Sequence, residues 1–163
     1  MSVKVQGYRL LPMLADQLDR VKHNERRAYS HPWTEGIFKD CINSGYECWL
    51  IEVADEVIGH GILSTGAGES HLLNICINPE YQGLGYGALL LNHMVARAEF
   101  HECRCVFLEV RASNLAAYKL YEKSGFTEIG VRKDYYPGYI DAEDALVLTK
   151  ELLQTPAGDA PPG

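Results

Sequence analysis

No window of the 163-residue sequence approaches the ~18 uncharged apolar residues that a membrane-spanning helix needs, so a helical membrane protein is excluded. The opening residues, MSVKVQGYRLLPML, lack the continuous apolar core of an export signal, and a cytoplasmic location is expected. None of the five cysteines (Cys41, Cys48, Cys76, Cys103, Cys105) forms a Cys-x-x-Cys pair. Their number is odd and three sit in apolar runs, which predicts reduced thiols packed as small hydrophobes rather than a disulfide framework. Basic residues are outnumbered: 15 Lys and Arg against 22 Asp and Glu give a net charge of −7, the wrong sign for gripping a nucleic-acid backbone over a broad face. A basic peptide is electrostatically welcome instead. No internal repeat is present, and low-complexity sequence is confined to the tail TPAGDAPPG at 155–163, which cannot build a core and is expected to be disordered.

The composition that remains is that of one globular domain, expected over 1–154: 47% apolar, 10% aromatic and 23% charged. VKVQGYRL alternates as a strand, and a helical apolar spacing follows at Leu14, Leu18 and Val21. Thr34 caps a short helix ending near Gly45. YECWLIEVADEVIGHGILST reads as two strands around an Ala54–Asp55 turn, with HLLNICINP as a third, an antiparallel meander. Leu90, Leu91, Met94, Val95 and Ala98 share one helical face. CVFLEV is an apolar strand, NLAAYKLYEKSG a helix from an Asn114 cap to a Gly125 stop, and FTEIGVRKDYY and DALVLTKEL are strands. The predicted order is β-α-α-β-β-β-α-β-α-β-β, an α/β (α+β) domain with one mixed, mostly antiparallel sheet.

Between the third meander strand and the long helix lies NPEYQGLGYGALLL. Gly83, Gly85 and Gly87 let backbone N–H groups approach a ligand, and the helix start adds unpaired donors and a partial positive charge, a combination that suits a phosphate. A tight turn chosen for geometry alone gives the same pattern. A dinucleotide fingerprint fails because its third glycine would fall at Ala88, and the Gly-Lys-Ser/Thr ending of a P-loop is absent.

In Cys105-Val106-Phe107-Leu108-Glu109-Val110-Arg111 a carboxylate interrupts an apolar strand and shares a face with Phe107 and Arg111. Desolvation would raise its pKa and pairing with Arg111 would lower it, leaving a base and a structural ion pair as alternatives. Tyr121 falls on one helix face with Ala117 and Leu120, where it reads as a core aromatic with its hydroxyl satisfied elsewhere. His101, Cys103 and Cys105 cluster in sequence but lack a fourth ligand at usable spacing, so no metal is expected. Cys76 reads as packing, with no histidine evident beside it.

Gln82-x-x-Gly85-x-Gly87 resembles the pyrophosphate-binding motif of the GNAT (GCN5-related N-acetyltransferase) family. The resemblance continues from HPW near residue 31 through NICINPEYQ, LEVRASNLAAYKLYEKSGF, KDYYP and DAEDALVL, about three quarters of the chain. It is similar there to the RimI-type members, which acetylate the N-terminal alanine of a small-subunit ribosomal protein. The resemblance implies a sheet with splayed central strands and acetyl-CoA as co-substrate. The backbone of Ile75, Cys76 and Ile77 would meet the pantetheine arm and acetyl group, that of Gly83, Leu84, Gly85, Tyr86, Gly87 and Ala88 the pyrophosphate, and the Asn114 side chain the arm. Glu109 would be proton acceptor and Tyr121 proton donor. Tyr86 stands where a basic residue is frequent in the family. The peptide groove would lie between the Trp33 loop and the Tyr135-Tyr136-Pro137-Gly138-Tyr139 turn. Its acidic rim of Glu35, Asp134, Asp141, Glu143 and Asp144 would suit a substrate with a basic second residue.

Three functions compete at this stage: acetylation of the N-terminal alanine of the eighteenth small-subunit ribosomal protein, acetylation of other N-termini, lysines or small amines, and a CoA-binding module without turnover. A pure binder has no use for a base and an acid flanking the thioester.

Overall fold

Short-range chemistry sets most element boundaries in this computed structural model, which describes residues 7–136 and 143–152. Strand β1 (Tyr8–Pro12) leads through a short 3-10 turn into helix α1 (Leu18–Ala28). Residues 3–6 of the predicted first strand lie outside the described residues. Leu14 is 56% exposed, outside the buried stripe of Leu18 and Val21, because the α-helix begins four residues beyond it. Helix α2 (Glu35–Asn43) is capped by Thr34, whose hydroxyl accepts from the Ile37 N–H at 3.3 Å. Strands β2 (Glu47–Val53) and β3 (Glu56–Gly66) are joined by Ala54 and Asp55 at φ 52° and 65°, the left-handed pair that a tight hairpin demands. Strand β4 (Glu69–Ile77) runs into the glycine loop and helix α3 (Tyr86–Phe100). Strand β5 (Cys105–Arg111), helix α4 (Leu115–Lys123), strand β6 (Thr127–Tyr136) and strand β7 (Glu143–Glu151) complete the order. The tail at 155–163 and the turn residues Pro137, Gly138, Tyr139 and Asp141 lie outside the described residues.

The seven strands form one mixed sheet in the order β1-β2-β3-β4-β5-β7-β6. Every neighbouring pair is antiparallel except β4 and β5. That parallel pairing lasts only from Glu69–His71 against Cys105–Phe107, after which the two strands part. A register slip opens the gap: Ile62 pairs with Asn74 but Leu63 with Leu72, so Leu73 is an extra residue that bends β4. The bulge also exchanges the faces of β4. Leu72 packs toward α3, whereas Asn74 and Cys76 point toward α1.

On one face of the sheet, Leu90, Leu91 and Met94 of α3 are fully buried with Val106, Leu108 and Val110 of β5 and Tyr121 of α4. Burial of each such aliphatic side chain contributes about 1.5–3 kcal/mol. On the other, Leu18 and Val21 of α1 and Phe38 of α2 cover Leu50 and Ile62. That second core ends before β5, so Phe107, Glu109 and Arg111, which alternate with the buried β5 residues, face a half of the sheet it does not reach.

Candidate active site

Two carbonyls on β4 past the parting point are held by side chains. The Ile75 carbonyl accepts from the Tyr29 hydroxyl, and the Ile77 carbonyl accepts from Gln82 Nε2 at 2.8 Å. Residues two apart on a strand turn their peptide groups the same way, so Ile75 and Ile77 present a half-free edge to the gap. Gln82 therefore ties the glycine loop to the end of β4. Gly83 and Gly85 adopt φ of 77° and 100°, a region costly for any residue with a Cβ. A Cβ on Gly87 would come within 3.3 Å of Leu120 Cδ2, so that glycine sets the approach of α3 to α4. The first turn of α3 carries no acidic residue, leaving its N–H donors and positive dipole end uncompensated. Tyr86 is 2% exposed and packed near Tyr81, so only its backbone can serve a ligand, while Leu84 is exposed at the loop.

Glu109 sits beside the gap with a side chain only 7% exposed. Its expected partner Arg111 goes elsewhere, 3.3 Å from Glu143 of β7, because adjacent same-face residues on a strand point in parallel while β7 brings a carboxylate across. His71 Nε2 lies 2.6 Å from Glu109 Oε1, and Arg132 Nε 3.4 Å from Oε2. Burial raises the carboxyl pKa, but His71 and Arg132 outweigh it and hold Glu109 below the ordinary carboxylate range. The direction of the pKa shift, left open by the sequence, is thus decided by two residues from β4 and β6.

Tyr121 is buried, and burial with nearby Tyr136 pushes its phenol pKa up, keeping it a proton-bearing acid. Tyr136, half-buried under the Arg111 guanidinium at 4.5 Å, is pushed up to about 12 by burial, with Glu109 and Tyr135 adding to it. Tyr29 is raised by burial and then by Tyr121, Cys76, Glu25 and Tyr136. Asn114 spends its carbonyl oxygen on the α4 cap, accepting from Ala117 N–H at 3.1 Å. Ala88 lies half-buried in the first turn of α3.

Cys76 is not without a histidine. His60, Glu25 and Cys76 are all buried with their potential ligating atoms within 4.8 Å of one another, a cluster built from β3, α1 and β4 that no linear spacing reveals. Glu25 accepts from Trp33 N–H at 3.0 Å and Asn74 Nδ2 at 3.1 Å, with His60 Nε2 at 2.9 Å, so its carboxylate is fully engaged. Of the other sequence candidates, His101 lies 2.6 Å from Glu47 and Cys103 is buried. Trp33 packs at 5.3 Å on Phe38, half-buried, and Tyr135 is 49% exposed against Tyr136 at 5.0 Å. Among the acids of the rim, Glu35 is held by Lys22 and Lys39, Glu143 by Arg111, and Asp144 accepts from Asp134 N–H.

A family model described as acetyltransferase (GNAT) family matches residues 14–126. The ribosomal protein bS18-alanine N-acetyltransferase of Escherichia coli K12 is 36% identical over 126 residues, covering 77% of this chain and 85% of that one. This chain belongs to the GNAT family of acetyltransferases. The crystal structure of the Escherichia coli ribosomal-protein-S18-alanine N-acetyltransferase superposes with a TM-score of 0.86 at 31% identity, covering 91% of this chain and 96% of that one. The NatC complex bound to Gag peptide and CoA shares the fold, with a TM-score of 0.78 at 18% identity over 91% of this chain and all of the other. The features of a GNAT cofactor cleft fit this chain: a parted β4–β5 edge, two left-handed glycines before α3, and an acid-free first turn. Tyr29, His71 and Arg132 are the cleft residues that sequence reading missed. Tyr29 is the extended residue that closes α1, so no helical spacing places it.

Proposed function

We propose that this chain transfers the acetyl group of acetyl-CoA to the N-terminal α-amine of ribosomal protein bS18, which begins with alanine, by direct attack of the amine on the thioester. Acetyl-CoA supplies an activated acyl group; the chain's residues hold and deprotonate the reactants. The backbone of Ile75, Cys76 and Ile77 would line the arm, with a strand amide positioned to polarise the carbonyl oxygen, and Asn114 would meet the arm. The N–H groups of Gly83 through Ala88 would take the diphosphate. Glu109 accepts the amine proton, directly or through one water, and Tyr121 holds the proton that the departing sulfur needs.

The observation that carries this reading is the state of Glu109, a carboxylate kept ionised and weakly basic by His71 and Arg132 in a sheltered cleft. An α-amine with a reference pKa near 7.7–8.0 loses its proton more readily than a lysine near 10.4, by about 3.5 kcal/mol, so a weak base suffices for a chain terminus. Trp33, Tyr135 and Tyr136 would wall the peptide groove. A net charge of −7 favours a basic peptide over RNA, and a ribosomal-protein substrate sets the work in the cytoplasm. Residues 1–154 would act as one catalytic unit.

The test is tandem mass spectrometry of a peptide with the bS18 N-terminus and an internal lysine, incubated with acetyl-CoA and the purified chain. Acetyl on the α-amine is expected. Acetyl on the lysine, or cofactor binding with no adduct, overturns the reading.

A further inference from the structure

His71 Nε2 lies 2.6 Å from Glu109 Oε1, and its ring stacks on Phe107 with centroids 4.3 Å apart at 20°, which fixes the imidazole plane. The His71 side chain is 24% exposed and that of Glu109 only 7%, so the imidazole meets solvent where the carboxylate does not. An ionised carboxylate only accepts, so Nε2 carries the hydrogen of this bond. The other groups facing the pair are Arg132 and Tyr136 from β6 and Arg111 from β5, the last tied to Glu143 of β7. From β3, the residue opposite His71 is Ser64, which does not titrate.

We propose that His71 is a positioning residue for acetyl transfer: its Nε2–H holds Glu109 in place as acceptor of the amine proton. The inference rests on the reading of Glu109 as proton acceptor. Phe107 holds the imidazole and the imidazole holds Oε1, so the carboxylate meets the amine in one orientation.

The test compares wild type, His71→Gln, His71→Ala and Glu109→Gln in full-length protein with acetyl-CoA and an alanine-starting peptide. Glutamine keeps a donor; alanine does not. His71→Ala should lower kcat on the order of tenfold with KM for acetyl-CoA unchanged, less than the ~100-fold expected for loss of the direct acceptor. His71→Gln should recover most of that loss. A His71→Ala enzyme as fast as wild type, or a His71→Gln enzyme no faster than His71→Ala, overturns the inference. Glu109→Gln at the wild-type rate overturns the underlying reading instead, whereas a slow Glu109→Gln beside a fast His71→Ala sinks the His71 role alone.

Discussion

Tyr29 donates its hydroxyl hydrogen to the Ile75 carbonyl, joining the end of α1 to the strand edge that faces the β4–β5 gap. Burial, with Tyr121, Cys76, Glu25 and Tyr136 around it, pushes this phenol well above the ordinary value of 10.0. Tyr29→Phe should therefore leave unchanged the number of phenols that ionise near pH 10 in an ultraviolet titration; loss of one would contradict the geometry. The freed carbonyl should cost about 1 kcal/mol of stability in urea unfolding.

Gly85 and Gly87 lie two residues apart and should respond differently to alanine. Gly85 has φ 100°, so Gly85→Ala strains the backbone at the entry to α3 by roughly 1–2 kcal/mol. The strain falls on the proposed diphosphate site, and KM for acetyl-CoA should rise several-fold with kcat retained. Gly87 is helical, and its added methyl meets the movable end of Leu120 at 3.3 Å. Gly87→Ala should leave KM within about twofold and offset the crowding with better helix propensity. Equal KM effects in the two variants would argue against the loop as the anion site.

The contrast between those glycines marks how far local sequence could be read. Caps at Thr34 and Asn114, the left-handed Ala54–Asp55 turn and the apolar face of α3 are written within a few residues of one another, and the element order followed from them. The Leu73 bulge is not local, because it exists only in the register against β3, yet it aims Asn74 and Cys76 at α1. Reading Glu109 beside Arg111 failed for the same reason: the partners that decide its charge, His71 and Arg132, come from other strands, 38 and 23 positions away. Leu14 misled because helical spacing continues backward through a turn that is not α-helical.

Glu25 and His60 form a pair with side chains 1% and 0% exposed, 2.9 Å apart. Glu25→Ala strips partners from His60, Asn74 and the Trp33 N–H together, and breaking a buried charged network of this kind costs about 3–5 kcal/mol. Because Trp33 N–H is tied to the same carboxylate, peptide KM should rise in any fraction that stays folded. Denaturant midpoints for Glu25→Ala and the milder Glu25→Gln check this, and a loss under about 1 kcal/mol for alanine would show the network to be unimportant.

Acid should loosen the join between β2 and α3 at Glu47. Its carboxylate accepts from Arg97 Nε at 2.8 Å and Trp49 Nε1 at 2.6 Å, with His101 Nε2 at 2.6 Å. Burial raises its pKa, but those hydrogen bonds outweigh burial and lower it from 4.5 to about 2. A carboxylate depressed in the folded state binds fewer protons there than in the unfolded chain. Its stabilisation is therefore complete above about pH 4.5 and is lost as pH falls toward about 2, on the order of 3 kcal/mol in all. Glu47→Gln should be less stable than wild type at neutral pH by up to that amount, and the gap should close over this acid window in urea titrations. A gap that stayed constant down to about pH 2 would mean that packing of the side chain, not its charge, joins the two elements.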